Sequence, residues 1–263
     1  MLKLSGIYKE FGVGTPDRHT VFDDFGLELR KGDFVTVIGS NGAGKSTLFN
    51  LISGTFLQDS GSIVLDDENI SYVPEHKRAN LIGRIFQDPQ AGTAPNLTVE
   101  ENLSIAYLRS TKRNILKWVS RKDKAYLREQ IAALDMGLED RMNTRIGLLS
   151  GGQRQAITLV MATLVTPKLL LLDEHTAALD PVTADKVMAL TNKIVRENNI
   201  TTMMITHNMS SALQTGNRTL MMDSGHIVLD LHDPKRRELT VHNVLDEFAR
   251  VRGTTFDNDR TLL

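Results

Sequence analysis

The stretch FVTVIGSNGAGKST, Phe34 to Thr47, decides how the rest of the chain is read. FVTVI is an apolar, β-branched run of the kind that forms a buried strand. KSTLFNLIS, from Lys45, is a short helical segment that Gly54 stops. Between them Gly39, Gly44, Lys45 and Ser46 satisfy the pattern G-x-x-x-x-G-K-[ST], in the strand-to-helix context that the pattern requires. At average composition that pattern arises by accident in about one chain of this length in a hundred. The chemistry explains the residue types. Glycines let successive amide N–H groups converge on phosphate oxygens, and the helix N-terminus adds positive potential. Lys45 neutralises β- and γ-phosphates and the Ser46 hydroxyl ligates Mg²⁺. The expected nucleotide contacts are Gly39, Ser40, Asn41, Gly42, Ala43, Gly44, Lys45, Ser46 and Thr47.

Working outward, KLLLLDE, Lys168 to Glu174, supplies a second half: a buried strand with carboxylates at its C-terminal end, where open parallel sheets bind nucleotides. Asp173 is expected to orient Mg²⁺ or its waters, and Glu174 to act as general base for an attacking water. GSIVLDDENI reads as an edge strand closed by an Asp66-Asp67 turn, LIGRIFQ and TTMMIT as further strands, and RTLMMDSGHIVLD as a hairpin around Ser224-Gly225. Thr98 and Glu101 form a capping box, KAYLREQIAALDMG has helical spacing ending at Gly137, and QRQAITLVMATLV is a helix broken at Pro167. Asp180 and Pro181 are the N-cap and first position of another helix. Strands alternating with helices imply a largely parallel sheet covered on both faces, and residues 88–148, where strand signals vanish, read as an inserted helical subdomain.

Composition narrows the function. The chain has 263 residues, 41% hydrophobic and 24% charged, as in ordinary globular proteins. Its 31 basic and 32 acidic residues give a net charge of −1, so no long-range field points to nucleic acid. There are no cysteines, which excludes disulfides and thiolate metal sites. The N-terminus MLKLSGIYKE lacks the character of a secretory signal, and no apolar run approaches the roughly 20 residues that span a bilayer. A cytoplasmic protein is expected.

The stretch LSGGQRQ, Leu149 to Gln155, discriminates further. LSGGQ is expected by chance in only about three chains of this size in ten thousand. Physically, Ser150, Gly151 and Gly152 open a helix and form a second anion site. The sequence resembles the nucleotide-binding subunits of ATP-binding cassette (ABC) transporters over roughly Met1 to Asp230, with LSGGQ similar to their signature motif. That resemblance implies an α/β fold: a P-loop NTPase core with a mostly parallel sheet, an N-terminal antiparallel β portion and the helical insert. The ATPase domain is expected over 1–240, followed by a C-terminal helix and, since TTFDNDRTLL carries no periodicity, a frayed tail over 241–263. It also implies a head-to-tail homodimer in which Ser150, Gly151, Gly152 and Gln153 of one copy close on the nucleotide of the other.

Further residues match the family in order. Gln87 resembles the Q-loop glutamine, which contacts Mg²⁺ or the water. Asp180 resembles the end of the D-loop, and His207 the switch histidine at the γ-phosphate. Phe11 resembles the aromatic that stacks on adenine, with Tyr8 as competitor. His175 departs from the family pattern, which more often has proline or alanine there. No catalytic role follows for it, but a titratable group beside Glu174 is expected to add a pH dependence. The segment Arg109 to Lys124 carries seven basic residues, one acid and the only tryptophan. It reads as a solvated face, with contact to a lipid surface or membrane partner as the alternative.

The resemblance implies a peripheral subunit on the cytoplasmic membrane face that binds ATP and Mg²⁺. Its partners would be a second copy of itself, membrane permease subunits and, indirectly, an extracytoplasmic substrate-binding protein, with no nucleic acid. Its expected role is to power an importer of a small molecule such as an amino acid, aromatic ones included. An exporter subunit and a soluble non-transport cassette ATPase are the alternatives.

Overall fold

The computed structural model describes residues 1–110 and 119–252. Half of the basic segment, residues 111–118 including Trp118, and the tail from 253 to 263 lie outside the described residues. The chain divides into two compact units, Met1–Ala79 with Ile200–Leu263, and Asn80–Asn199.

The first unit opens with β1 (Leu2–Phe11), β2 (His19–Leu29), β3 (Phe34–Gly39), α1 (Lys45–Ser53), β4 (Ser60–Leu65), β5 (Glu68–Asn69) and the short α2 (Glu75–Arg78). Four of these strands form an antiparallel sheet in the order β2-β1-β4-β5. Leu2, Leu4 and Ile7 bury one side of β1, and bulges in its pairing with β2 shift the register toward Phe11. Asp66 (φ 48°) and Asp67 (φ 65°) make the expected tight turn. It is β5 that forms the sheet edge, however, because β4 pairs with β1 on its other side, Leu2 opposite Leu65. α1 ends at Gly54, whose N–H donates to Asn50 O at 3.0 Å. Behind that end lies Arg78, fully buried, donating to the carbonyl oxygens of Leu51 (2.6 Å), Ile52 (2.9 Å), Ser71 (3.0 Å) and Val73 (2.7 Å). Burial lowers the Arg78 pKa to about 10, which leaves it charged at neutral pH.

The second unit holds β6 (Ile82–Ile85), α3 (Val99–Ser110), α4 (Arg121–Ala132), α5 (Gly151–Thr163), β7 (Leu169–Asp173) and α6 (Pro181–Glu197). β6 and β7 are parallel, with Ile82 opposite Leu169 and Ile85 opposite Leu172. The Thr98–Glu101 capping box is present: Thr98 N donates to Glu101 Oε2 (2.7 Å) and Glu101 N to Thr98 Oγ1 (3.2 Å). A second box, Ser120 with Asp123, starts α4. α4 ends at Ala132, short of Gly137, because Leu134 turns into the helical core and Asp135 takes a left-handed backbone (φ 52°). That core joins Val99 and Leu103 of α3, Leu127 and Ile131 of α4, and Ile157 and Val160 of α5, with Leu149 beside them.

The chain then returns to the first unit as β8 (Thr201–Ile205), α7 (Met209–Gln214), β9 (Arg218–Asp223), β10 (His226–His232) and α8 (Val241–Arg252). β3 runs parallel to both β8 and β9, and every residue of β3 is buried, which accounts for a run that is apolar apart from Thr36. β9 and β10 form the expected hairpin, its turn at Ser224 (φ 47°) and Gly225 (φ 79°). Val244 and Phe248 of α8 pack on Met209, Ala212, Leu213 and Met221.

Candidate nucleotide site

In the first unit, the loop from Gly39 to Gly44 joins β3 to α1. Gly39 is fixed by its surroundings: at φ 147°, a Cβ there would stand 2.1 Å from Met222 O on the neighbouring β9. Lys45 is buried in the first turn of α1, its Nζ donating to Gly39 O (2.6 Å) and Ser40 O (2.9 Å), so the ammonium is held within the loop it serves. Ser40 Oγ donates to Asp223 Oδ1 at 3.1 Å. Asn41, Gly42 and Ser46 are exposed, Thr47 is half-buried, and Ala43 is buried, its carbonyl accepting from Gly225 N (3.1 Å). The first amides of α1 have no acceptor within the helix, which makes this end an anion site.

Phe11 closes β1 opposite His19 of β2. Their rings stack at 5.8 Å with an interplanar angle of 25°, Phe56 meets Phe11 edge-on at 5.5 Å, and Lys9 Nζ stands 5.1 Å over the phenyl ring. Tyr8 lies in the strand opposite Ser60, its hydroxyl 3.5 Å from Thr20 Oγ1. His207 follows β8, half-buried, just before Asn208 caps α7 by accepting from Ser211 N (2.8 Å).

In the second unit, Asp173 ends β7 and Gln87 lies exposed two residues past the paired β6, so both leave the same end of the strand pair. Glu174 adopts φ 47°, a left-handed conformation that a non-glycine residue holds at a cost of about 1–3 kcal/mol. Its carbonyl accepts from Ala177 N (2.9 Å), closing the turn that keeps it there. Sequence reading missed Arg84, whose Nη2 lies 3.6 Å from Asp173 Oδ2 and whose guanidinium sits 4.6 Å over the Phe86 ring. The signal was present: Arg84 is the one charge inside the strand IGRI.

His175 corrects an expectation. It is buried, and its Nε2 lies 3.1 Å from Thr191 Oγ1, whose own proton goes to Val187 O (2.8 Å). The hydroxyl can therefore only accept, so Nε2 carries a hydrogen. Burial lowers its pKa to about 4, and it adds no titration near neutral pH beside Glu174.

The signature stretch begins α5. Ser150 is the N-cap, its Oγ accepting from Gln153 N (3.3 Å) while its N–H donates to Gln153 Oε1 (3.2 Å). A Cβ on Gly152 would lie 2.0 Å from Thr183 Cγ2, and one on Gly151 3.3 Å from Leu179, so the starts of α5 and α6 touch. Asp180 caps α6, accepting from Thr183 N (3.1 Å), and hydrogen bonds from the Thr183 side chain and then its backbone lower the carboxyl pKa. Ser150, Gly151, Gly152, Gln153 and Asp180 are thus brought to one place within this unit. The donors offered for Mg²⁺, the Ser46 hydroxyl, the Asp173 carboxylate and the Gln87 amide oxygen, are all hard oxygens and fit that ion.

The family pattern described as "ABC transporter" matches residues 22–177, from within β2 to the turn after Glu174. The chain belongs to the ABC transporter family. It is 44% identical over 248 residues to the tyrosine transport ATP-binding protein of Clostridioides difficile (strain R20291), an alignment covering 94% of this chain and 98% of that one. It is 34% identical to the glycine betaine/carnitine/choline transport ATP-binding protein OpuCA of Bacillus subtilis (strain 168), over 87% of this chain but only 57% of that relative. Among solved structures, the dimeric, post-hydrolysis ATP-binding cassette MJ0796 bound to ADP and Pi matches with a TM-score of 0.74 and 25% identity, over 88% of this chain and 98% of that one. This cassette is accordingly the ATP-binding and hydrolysing subunit of an ABC transporter, importer-like in its relatives. Among the described residues, no helix is long and apolar enough to cross a membrane.

Proposed function

We propose that this cassette powers uptake of an aromatic amino acid such as tyrosine, from the cytoplasmic face of a membrane, as a nucleotide-sandwich homodimer bound to permease subunits fed by an external binding protein. The observation that carries the reading is the presence on one chain of two anion-binding helix starts: α1 behind Gly39–Gly44, and α5 behind Ser150. Two copies related by a two-fold axis supply both halves of two equivalent sites. Support for the substrate comes from the tyrosine transport relative, matched along nearly its whole length.

In this reading Phe11 stacks on the base, and Lys45 leaves the Gly39 and Ser40 carbonyls to meet the β- and γ-phosphates. Mg²⁺, when bound, supplies charge neutralisation at those phosphates. Ser46, Asp173 and Gln87 hold it, and Arg84 keeps the Asp173 carboxylate in place. Glu174 accepts a proton from the attacking water, and its strained backbone holds the carboxylate ready for that water. His207 hydrogen-bonds the γ-phosphate, Asp180 crosses to the partner copy, and Ser150 to Gln153 of that copy close over the same phosphate. Asn41 and the remaining loop residues contribute backbone contacts. A groove of about 270 Å³ lined by Arg84, Phe86, Asn102, Ile105, Arg109 and Thr158 is the proposed seat of a permease segment.

The test is Glu174→Gln. It should keep ATP affinity, lose steady-state hydrolysis by a factor of about 10² or more and run as a nucleotide-bound dimer on size exclusion. Retained turnover removes Glu174 from the base role, and a monomer with ATP bound removes the shared site.

A further inference from the structure

We propose that His19 selects the base: it shares the plane in which a purine stacks on Phe11 and accepts a hydrogen bond from the exocyclic amine of adenine through Nε2. The inference rests on Phe11 being the stacking platform.

Cross-strand register is the starting point. Phe11 and His19 are direct partners at the end of the β1–β2 ladder, which brings their side chains together. Their ring centroids are 5.8 Å apart with planes 25° from parallel. Stacked rings sit about 3.5–4 Å apart, so the imidazole is displaced sideways by roughly 4 Å and covers only one margin of the phenyl face. A base laid on the remainder of that face lies beside the imidazole, edge to edge.

The imidazole edge has a defined polarity. His19 Nδ1 lies 2.9 Å from Asp17 O, and a carbonyl can only accept, so Nδ1 carries the hydrogen. In the neutral ring Nε2 then presents a lone pair. Adenine offers an amino donor to such a group, whereas guanine places a carbonyl oxygen at the corresponding edge, and two acceptors repel. The group is exposed, so it is accessible to a ligand.

The loop that leads into His19 is tied down. Thr15 N donates to Gly12 O (2.9 Å), Thr15 Oγ1 to the same carbonyl (2.8 Å), and Arg18 Nε to Glu10 Oε1 (2.5 Å). The position also suits a base. Val21 and Phe22 come within 3.3 Å and 3.1 Å of where a Cβ on Gly44 would stand. At about 3.3 Å per residue, His19 is roughly 7 Å along the strand from the phosphate loop, within the span of one nucleotide.

The experiment compares ATP and GTP affinity of the full chain by calorimetry, without Mg²⁺ to prevent turnover, for the wild type, His19→Ala, His19→Phe and Phe11→Ala. Wild type should prefer ATP, and both His19 variants should lose about 5- to 10-fold in ATP affinity, the loss of one hydrogen bond, while GTP, relieved of the facing acceptor, should bind as well as or better than to the wild type. Phe11→Ala should weaken both nucleotides. If the His19 variants leave the ATP-to-GTP ratio unaltered, or wild type shows no preference, the role of His19 is overturned while Phe11 stands. If Phe11→Ala binds both nucleotides normally, the stacking platform itself is wrong and His19 falls with it.

Discussion

His175 follows Glu174 in the chain and shares none of its exposure. Its folded-state pKa of about 4 lies below the ordinary value near 6.5, so between those two pH values the unfolded chain binds a proton that the folded chain refuses. Stability therefore rises with pH across that window, is fully present above it and is lost as pH falls through it. Between pH 7 and pH 5 the wild type should lose about 2 kcal/mol on this account, at 1.36 kcal/mol per pH unit. Urea unfolding at the two pH values should show that loss shrinking toward zero in His175→Gln, whose amide can still donate to Thr191. An unchanged pH slope in the variant would place the titration elsewhere. The neighbouring Glu174 shows the opposite use of a residue: a strained backbone at a half-buried position, a conformational cost for which the proposed general-base role supplies a reason.

At the level of elements, the signature glycines serve two ends. Gly152 is set by packing, since its missing Cβ admits Thr183 Cγ2 where α5 and α6 begin. Gly152→Ala should cost about 1–3 kcal/mol of stability. Thr183→Ser removes the offending methyl and keeps the N–H that Asp180 caps, so the double variant should recover most of that loss in a denaturation cycle. Additive effects would show that the helix starts do not constrain each other. Local chemistry made many such elements legible in the sequence: the Thr98–Glu101 box, the Asp180-Pro181 helix start and the Asp66-Asp67 turn all satisfy nearby backbone groups. What was not legible depends on partners distant in the chain. The edge position of β5 follows from β1 pairing with β4, the early end of α4 from Leu134 entering the helical core, and the Phe11–His19 stack from bulges in a ladder. Likewise His175 could not be known as neutral before the fold buried it.

For the whole molecule, the order of motifs carried the family and therefore the fold, while the cargo leaves no trace in a chain that need not touch it. The tyrosine proposal is accordingly tested on the assembled system. Membranes containing this chain with its co-purified permease should take up labelled tyrosine in an ATP-dependent way, and Glu174→Gln should abolish the uptake. ATP-driven uptake of an unrelated solute with none of tyrosine would replace the proposed cargo. Within the first unit, Arg78 adds a mechanical consequence. In the proposed reading the nine-residue α1 meets phosphate at its front, while at its rear its last carbonyls are gripped by a guanidinium that also clasps Ser71 and Val73. That rear anchor is a backstop: recoil from the nucleotide is absorbed by a fork of five N–H donors, for which the single ammonium of lysine is a poor replacement. Nucleotide grip can thus be loosened from a residue that never meets the ligand.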